Sequence, residues 1–184
     1  MTTIIFCHPW HGSFNKAILD TVIAQLDSGN KPYQVIDLYK DKFKSDFTES
    51  ELALYRKGEF TDPLVGKYQD MIRQSEQLIF IFPIWWATMP AMLKGFFDKV
   101  FLVNFSHNYE NGWTPLLKMK KETIIITTSQ SETEKFNNSI VNVFINQTLG
   151  AVGITNLRWL NNPRTTSGDN AHRAAFLQEV EELF

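Results

Sequence analysis

The chain has 184 residues, and its 18 basic and 20 acidic side chains are spread along its length for a formal net charge of -2, so it presents no electrostatic footprint for nucleic acid. A hydrophobic share of 43% is enough to bury one core, which predicts a single domain over residues 1–184. The lone Cys7 excludes an internal disulfide, no apolar stretch reaches the about 20 residues of a membrane helix, and the N-terminus has no basic leader, so a cytoplasmic protein is expected.

Taken in chain order, Thr3 to Cys7 is a short Ile- and Phe-rich run closed by His8-Pro9, which predicts a buried strand. Asn15 to Leu26 then spaces Ile18, Leu19, Val22, Ile23 and Leu26 three and four apart, an amphipathic helix. A second strand, Tyr33 to Leu38, follows the turn signal Ser28-Gly29-Asn30-Lys31-Pro32. The polar stretch Tyr39 to Asp62 reads as an excursion over the surface with one helix near Glu49 to Lys57. Pro63 opens a helix over Leu64 to Gln74, Leu78 to Phe82 is a third strand, and Pro90 opens a helix over Ala91 to Phe101. Thr123 to Thr127 and Ile154 to Leu160 complete the strands, with helices over Ile140 to Leu149 and Ala171 to Phe184. Strand and helix thus alternate throughout, which predicts an α/β fold. Its parallel five-stranded sheet carries helices on both faces, in the flavodoxin-like order 2-1-3-4-5.

In such a sheet ligands bind beyond the carboxyl ends of the strands, so three loops carry the chemistry. The first is His8-Pro9-Trp10-His11-Gly12-Ser13-Phe14-Asn15. Its hydroxyl and the amides of a helix N-terminus suit a phosphate, although Ser13 or Asn15 as a simple helix cap and His8 and His11 as ordinary loop residues remain open. It lacks both the dinucleotide glycine fingerprint and the Gly-Lys-Ser/Thr ending of triphosphate-binding loops. The second loop, Pro83 to Pro90, sets Trp85 and Trp86 side by side between two prolines. Adjacent residues there cannot both point inward, which leaves apolar surface on which a flat heteroaromatic ring can rest. The third, Thr127-Thr128-Ser129-Gln130-Ser131, offers hydroxyls, an amide and backbone N–H groups to the polar edge of a ring, or simply makes turns and caps.

Together, His8, Ser13-Phe14-Asn15, Phe82-Pro83, Trp85-Trp86, Pro90-Ala91, Leu93-Lys94-Gly95 and Asp98 to Val100 resemble the NAD(P)H:quinone oxidoreductase family, along nearly the whole chain. That family includes quinone reductases and ancillary subunits of potassium-efflux systems. The resemblance implies a flavin, with His8, Ser13, Phe14 and Asn15 at its phosphate end. Pro83, Ile84, Trp85, Trp86 and Ala87 would border the ring, and Thr128, Ser129 and Gln130 would meet its polar edge. It implies an NADH or NADPH donor, a quinone-like acceptor taken in ping-pong fashion, and a homodimer; a transporter partner is the alternative. Two departures stand out. Ser129 and Gln130 replace the family's paired glycines, and Lys135 to Asn142 lacks the Tyr and His of the larger animal enzymes, so no catalytic side chain is assigned. With nothing obvious to hold an adenine, FMN is expected rather than FAD, and no metal is expected. Phe96, Phe97, Phe101 and Phe105 offer a stripe either to a second subunit or to the core.

Overall fold

The computed structural model describes residues 1–184. Five parallel strands form the main sheet: β1 (Thr2–Phe6), β2 (Tyr33–Asp37), β3 (Gln77–Pro83), β6 (Thr123–Thr128) and β7 (Leu157–Asn162). Their spatial order, β2-β1-β3-β6-β7, is the order expected from the alternation of elements. Between β3 and β6 lies a small antiparallel hairpin, β4 (His107–Asn108) with β5 (Thr114–Pro115), which the sequence pattern did not announce because each strand is only two residues long.

Helices α1 (Phe14–Ser28), α2 (Glu49–Leu54), α3 (Pro63–Arg73), α4 (Ala91–Val100) and α5 (Asn170–Glu181) surround the sheet, and a short 3₁₀ turn at Tyr55–Lys57 continues α2. Both sheet faces are sealed, as continuous apolar strands require. On one face Ile4, Phe6, Ile79 and Ile81 pack against Ile18, Val22 and Leu26 of α1 and Phe176 and Val180 of α5. On the other, Ile5, Phe80 and Phe82 meet Phe96, Phe97, Val100 and Phe144. Phe97 and Phe144 lie 5.4 Å apart in an edge-on contact, an arrangement that adds to the area they bury. Phe96, Phe97, Phe101 and Phe105 all belong to this core, so that stripe is not a subunit surface.

Two local features depart from a plain alternation. The stretch from Asn137 to Leu149 winds as a wide π-type helix with i→i+5 bonding rather than as an α-helix. The wider turn puts Ile140, Phe144 and Leu149 on the buried face and turns Val143, which an α-helix would bury beside Phe144, to solvent at 45% exposure. The fifth strand begins at Leu157, three residues later than its apolar run, because Ile154 is buried in the preceding turn and hydrogen-bonded to Leu149.

The excursion between β2 and α3 is fastened to α4 by a buried ion pair. Lys99 Nζ sits 2.8 Å from Glu51 Oε1, also donates to the Asp46 carbonyl, and lies over the Phe43 ring. Burial works against the Glu51 carboxylate, but hydrogen bonds from Lys99 and Thr48 outweigh it and hold its pKa below the usual range. Gly95 permits the same approach from the other side, since a Cβ there would stand 2.1 Å from the Ser45 carbonyl oxygen. The Leu93-Lys94-Gly95 motif is thereby explained as close packing of α4.

Candidate functional site

The carboxyl ends of β1, β3, β6 and β7 converge on one cleft of about 780 Å³. Its first wall is the loop between β1 and α1. Ser13 caps α1, its Oγ accepting from the Lys16 amide, and by helix geometry the first amides, at Phe14 and Asn15, have no partner within the helix. Those amides and the positive end of the helix dipole favour an anion. Asn15 is buried; its Oδ1 accepts from the Thr128 hydroxyl at 2.8 Å, while its Nδ2 has no partner. A buried amide without an acceptor is costly unless a ligand supplies one.

His8 lines the same wall, in edge-on contact with Trp85 at 5.7 Å. Burial pushes its imidazolium below the ordinary range, only partly offset by the Trp10 backbone, so the ring is neutral near pH 7. His11 turns away and pairs with the buried Asp37 at 2.9 Å, tying the loop to the end of β2. Gly12 lies under the Trp10 indole, where a Cβ would come within 2.5 Å of the ring.

The second wall follows β3. Trp85 and Thr88 exchange both backbone hydrogen bonds, closing a two-residue turn at Trp86 and Ala87. Both central residues have positive φ, 50° and 64°, a geometry that ordinarily selects Asn-Gly, so the turn stores strain of about 1–2 kcal/mol per residue. Trp85 is 41% exposed and Trp86 fully so, as the pairing of two tryptophans between prolines implied.

The third wall is the loop after β6, stitched to the loop after β7. Ser129 N–H donates to the Asn162 carbonyl, Thr165 N–H donates to the Ser129 carbonyl, and Asn161 Nδ2 reaches both Ser129 Oγ and Thr133 Oγ1. Arg173 of α5 donates through Nε and Nη2 to the Thr165 carbonyl, which holds its guanidinium at the rim.

Of the residues singled out from the sequence, His8, Ser13, Phe14, Asn15, Pro83 and Ile84 line this cleft, as do Trp85, Thr128, Ser129 and Gln130. Trp86 and Ala87 do not. They line an adjoining groove of about 440 Å³, shared with Ile84, Trp85, Gln130 and Phe136. Sequence reasoning missed Trp10, Thr165, Thr166 and Arg173; Thr165 and Thr166 come from the β7–α5 connection and Arg173 from the first turn of α5, where no motif marks them. Cys7 is not a reactive group, since burial pushes its thiol up to about 12. No cluster of three or more His, Cys, Asp or Glu is placed to hold a metal ion. No helix is long and apolar enough to cross a membrane.

These walls fit a ligand with an anionic end and a flat ring. The orphaned Asn15 Nδ2 and the head of α1 serve the first, and Trp85 with the polar β6 loop serves the second. Comparison with known proteins gives a consistent picture. An uncharacterized NAD(P)H oxidoreductase of Haemophilus influenzae is 29% identical over 164 residues, 85% of this chain and 80% of that one. NAD(P)H dehydrogenase [quinone] 1 of Cavia porcellus is 31% identical over 146 residues, 70% of this chain but 53% of its own, so the chain spans about half the length of that relative. The crystal structure of Smu.1420 from Streptococcus mutans UA159 superposes with a TM-score of 0.86 at 30% identity, covering 99% of this chain and 97% of that one. With the sheet order, the loop at the head of α1 and a family match running from residue 1 to residue 184 in agreement, the chain belongs to the flavodoxin-like fold family, among relatives named as NAD(P)H oxidoreductases.

Proposed function

We propose that this chain is an NAD(P)H dehydrogenase that holds FMN in its cleft and passes two electrons from NADH or NADPH to a quinone or similar flat, electron-poor acceptor. The observation that carries this reading is the unpartnered, buried Nδ2 of Asn15 beside the open head of α1, a donor set in search of an anion at the end of an aromatic cleft. A bound flavin would supply the chemistry, taking hydride from a reduced nicotinamide and later giving it to the acceptor.

The residues of the chain bind, orient and exclude water. Ser13, Phe14 and Asn15 receive the phosphate end, with neutral His8 alongside. Pro83, Ile84 and Trp85 border the ring, and Thr128, Ser129 and Gln130 meet its polar edge. Trp86 and Ala87 border the adjoining groove, through which donor and acceptor reach the exposed face of the ring in turn, in ping-pong fashion. No side chain in the groove is placed as an acid or base, so rate comes from stacking the partners at reacting distance. Relatives carrying the names NAD(P)H oxidoreductase and NAD(P)H dehydrogenase [quinone] support the donor and acceptor classes. The protein is proposed to act as a homodimer: Tyr109 and Trp113 expose aromatic surface that a second copy would cover, and a single-chain mass in sedimentation would remove that part.

The experiment is an absorption spectrum of the protein incubated with FMN and freed of unbound flavin, then mixed anaerobically with NADH or NADPH. Retained flavin bands that bleach are the expected result. Retention without bleaching removes the dehydrogenase reading, and failure to retain FMN or FAD removes the cofactor itself.

A further inference from the structure

Two side chains of the β6 loop reach across to the β7–α5 connection: Glu132, which pairs with Arg164 at 3.3 Å away from the cleft lining, and Gln130, which is part of that lining. The Gln130 Oε1 accepts from the Thr166 hydroxyl at 2.5 Å and from the Thr166 amide at 3.4 Å, joining positions 36 residues apart. Both residues line the main cleft, and Gln130 alone of the two also lines the groove that holds Trp86. The contact therefore lies on the rim where the two cavities meet. Behind it the connection is already braced, because Thr165 is gripped on both sides by Ser129 and Arg173. Thr166 is thus a fixed post, and the flexible partner is Gln130. A glycine at position 130 has no side chain and leaves this rim open.

We propose that Gln130 and Thr166 form a strap across the mouth of the cleft that retains the bound cofactor while donor and acceptor exchange through the groove. The proposal rests on the flavin reading. A ping-pong cycle requires this asymmetry, since donor and acceptor must leave each turnover and the cofactor must not. Through Thr166, Gln130 is then a positioning residue that sets the rate of cofactor release, in addition to its place at the polar edge of the ring. The strap is exposed to solvent, so its effect is kinetic and modest, and opening it leaves the core untouched.

The test follows FMN release from the loaded protein by the recovery of flavin fluorescence after dilution. Gln130→Gly and Thr166→Val should each speed release about tenfold, as loss of one hydrogen bond implies. The double variant should be no faster than Gln130→Gly alone, because that change already removes the contact to Thr166. Thr166→Ser, which keeps the hydroxyl, should restore slow release, and Gln130→Asn, one methylene too short, should not. The thermal midpoint of the flavin-free protein should fall by no more than a few degrees in each variant, in keeping with loss of one exposed contact. Unchanged release in Gln130→Gly, additive effects in the double variant, or failure of Thr166→Ser to rescue would each overturn the strap. Failure of the unaltered protein to hold FMN at all would overturn the flavin reading, and the strap with it, before any variant was made.

Discussion

The loop after β1 and the turn after β3 stand at the ends of adjacent strands and line the same cleft, yet they are built in opposite ways. The first is relaxed and anchored. No residue from His8 to Asn15 has positive φ, Ser13 caps the helix that follows, and His11 is pinned to Asp37. The second is strained and unanchored at its tip, with Trp86 and Ala87 both in the left-handed region and Trp86 fully in solvent. The difference matches two tasks. Holding an anion depends on amides and a side chain fixed in advance, because reorganisation on binding would be subtracted from affinity. Presenting an apolar face to transient partners depends on an aromatic ring kept out of the core, and backbone strain is the means by which this turn achieves it.

The comparison can be broken most easily at Asn15. Asn15→Asp keeps an acceptor for the Thr128 hydroxyl but replaces the free Nδ2 by a second carboxylate oxygen. FMN affinity should fall by about a hundredfold, the worth of about 3 kcal/mol for a hydrogen bond to a charged group. If titration showed Asn15→Asp binding FMN as well as the unaltered chain, the anion would be held elsewhere.

Acid should expose the neutral state of the first loop. Burial lowers the pKa of His8 and of His107, the latter fully buried and stacked on Trp113 at 4.0 Å, from the ordinary 6.5. As pH falls through that value the unfolded chain takes up protons that the folded chain does not. Stability should therefore be complete above about pH 6.5 and decline below it until the folded-state pKa values are passed. Urea midpoints on either side of that pH should show His8→Gln and His107→Gln each removing part of the slope. A slope indifferent to both substitutions would assign the acid sensitivity to other groups.

Two smaller effects sharpen the contrast of relaxed and strained backbone. Ser13→Ala deletes the cap of α1 and should cost about 1 kcal/mol of stability in a denaturant melt. Ala87→Gly should go the other way, by at most about 1 kcal/mol, since relief of the left-handed conformation is partly offset by the freedom glycine gains when unfolded. A destabilised Ala87→Gly protein would show that the turn is not strained.

Much of this was legible before any coordinates. Runs such as Leu78 to Phe82 have no reading except a strand buried on both faces, and β3 indeed has every residue from Leu78 to Pro83 buried. Trp85-Trp86 announced exposed aromatic surface because adjacent loop residues cannot share one direction. The Phe96 to Phe105 stripe was ambiguous for the converse reason: periodicity places side chains on one face of a helix but does not name what that face meets, and here it meets β3 and Phe144.

The sequence by itself determined the alternation of strands and helices and the loops at the carboxyl ends of β1, β3 and β6, and it narrowed the strand order to a few arrangements. These follow from local patterning and from the handedness of crossovers. Only the tertiary structure decided the rest of the site. Thr165, Thr166 and Arg173 enter the cleft because β7 lies beside β6 and α5 beside α1, and the Gln130–Thr166 contact exists only once those neighbours are in place. The π-type winding of Asn137–Leu149 was likewise decided by packing, because Phe144 must meet Phe80 and Phe82 while Leu149 still reaches the core. Contacts between residues distant in sequence leave no period in it to be read.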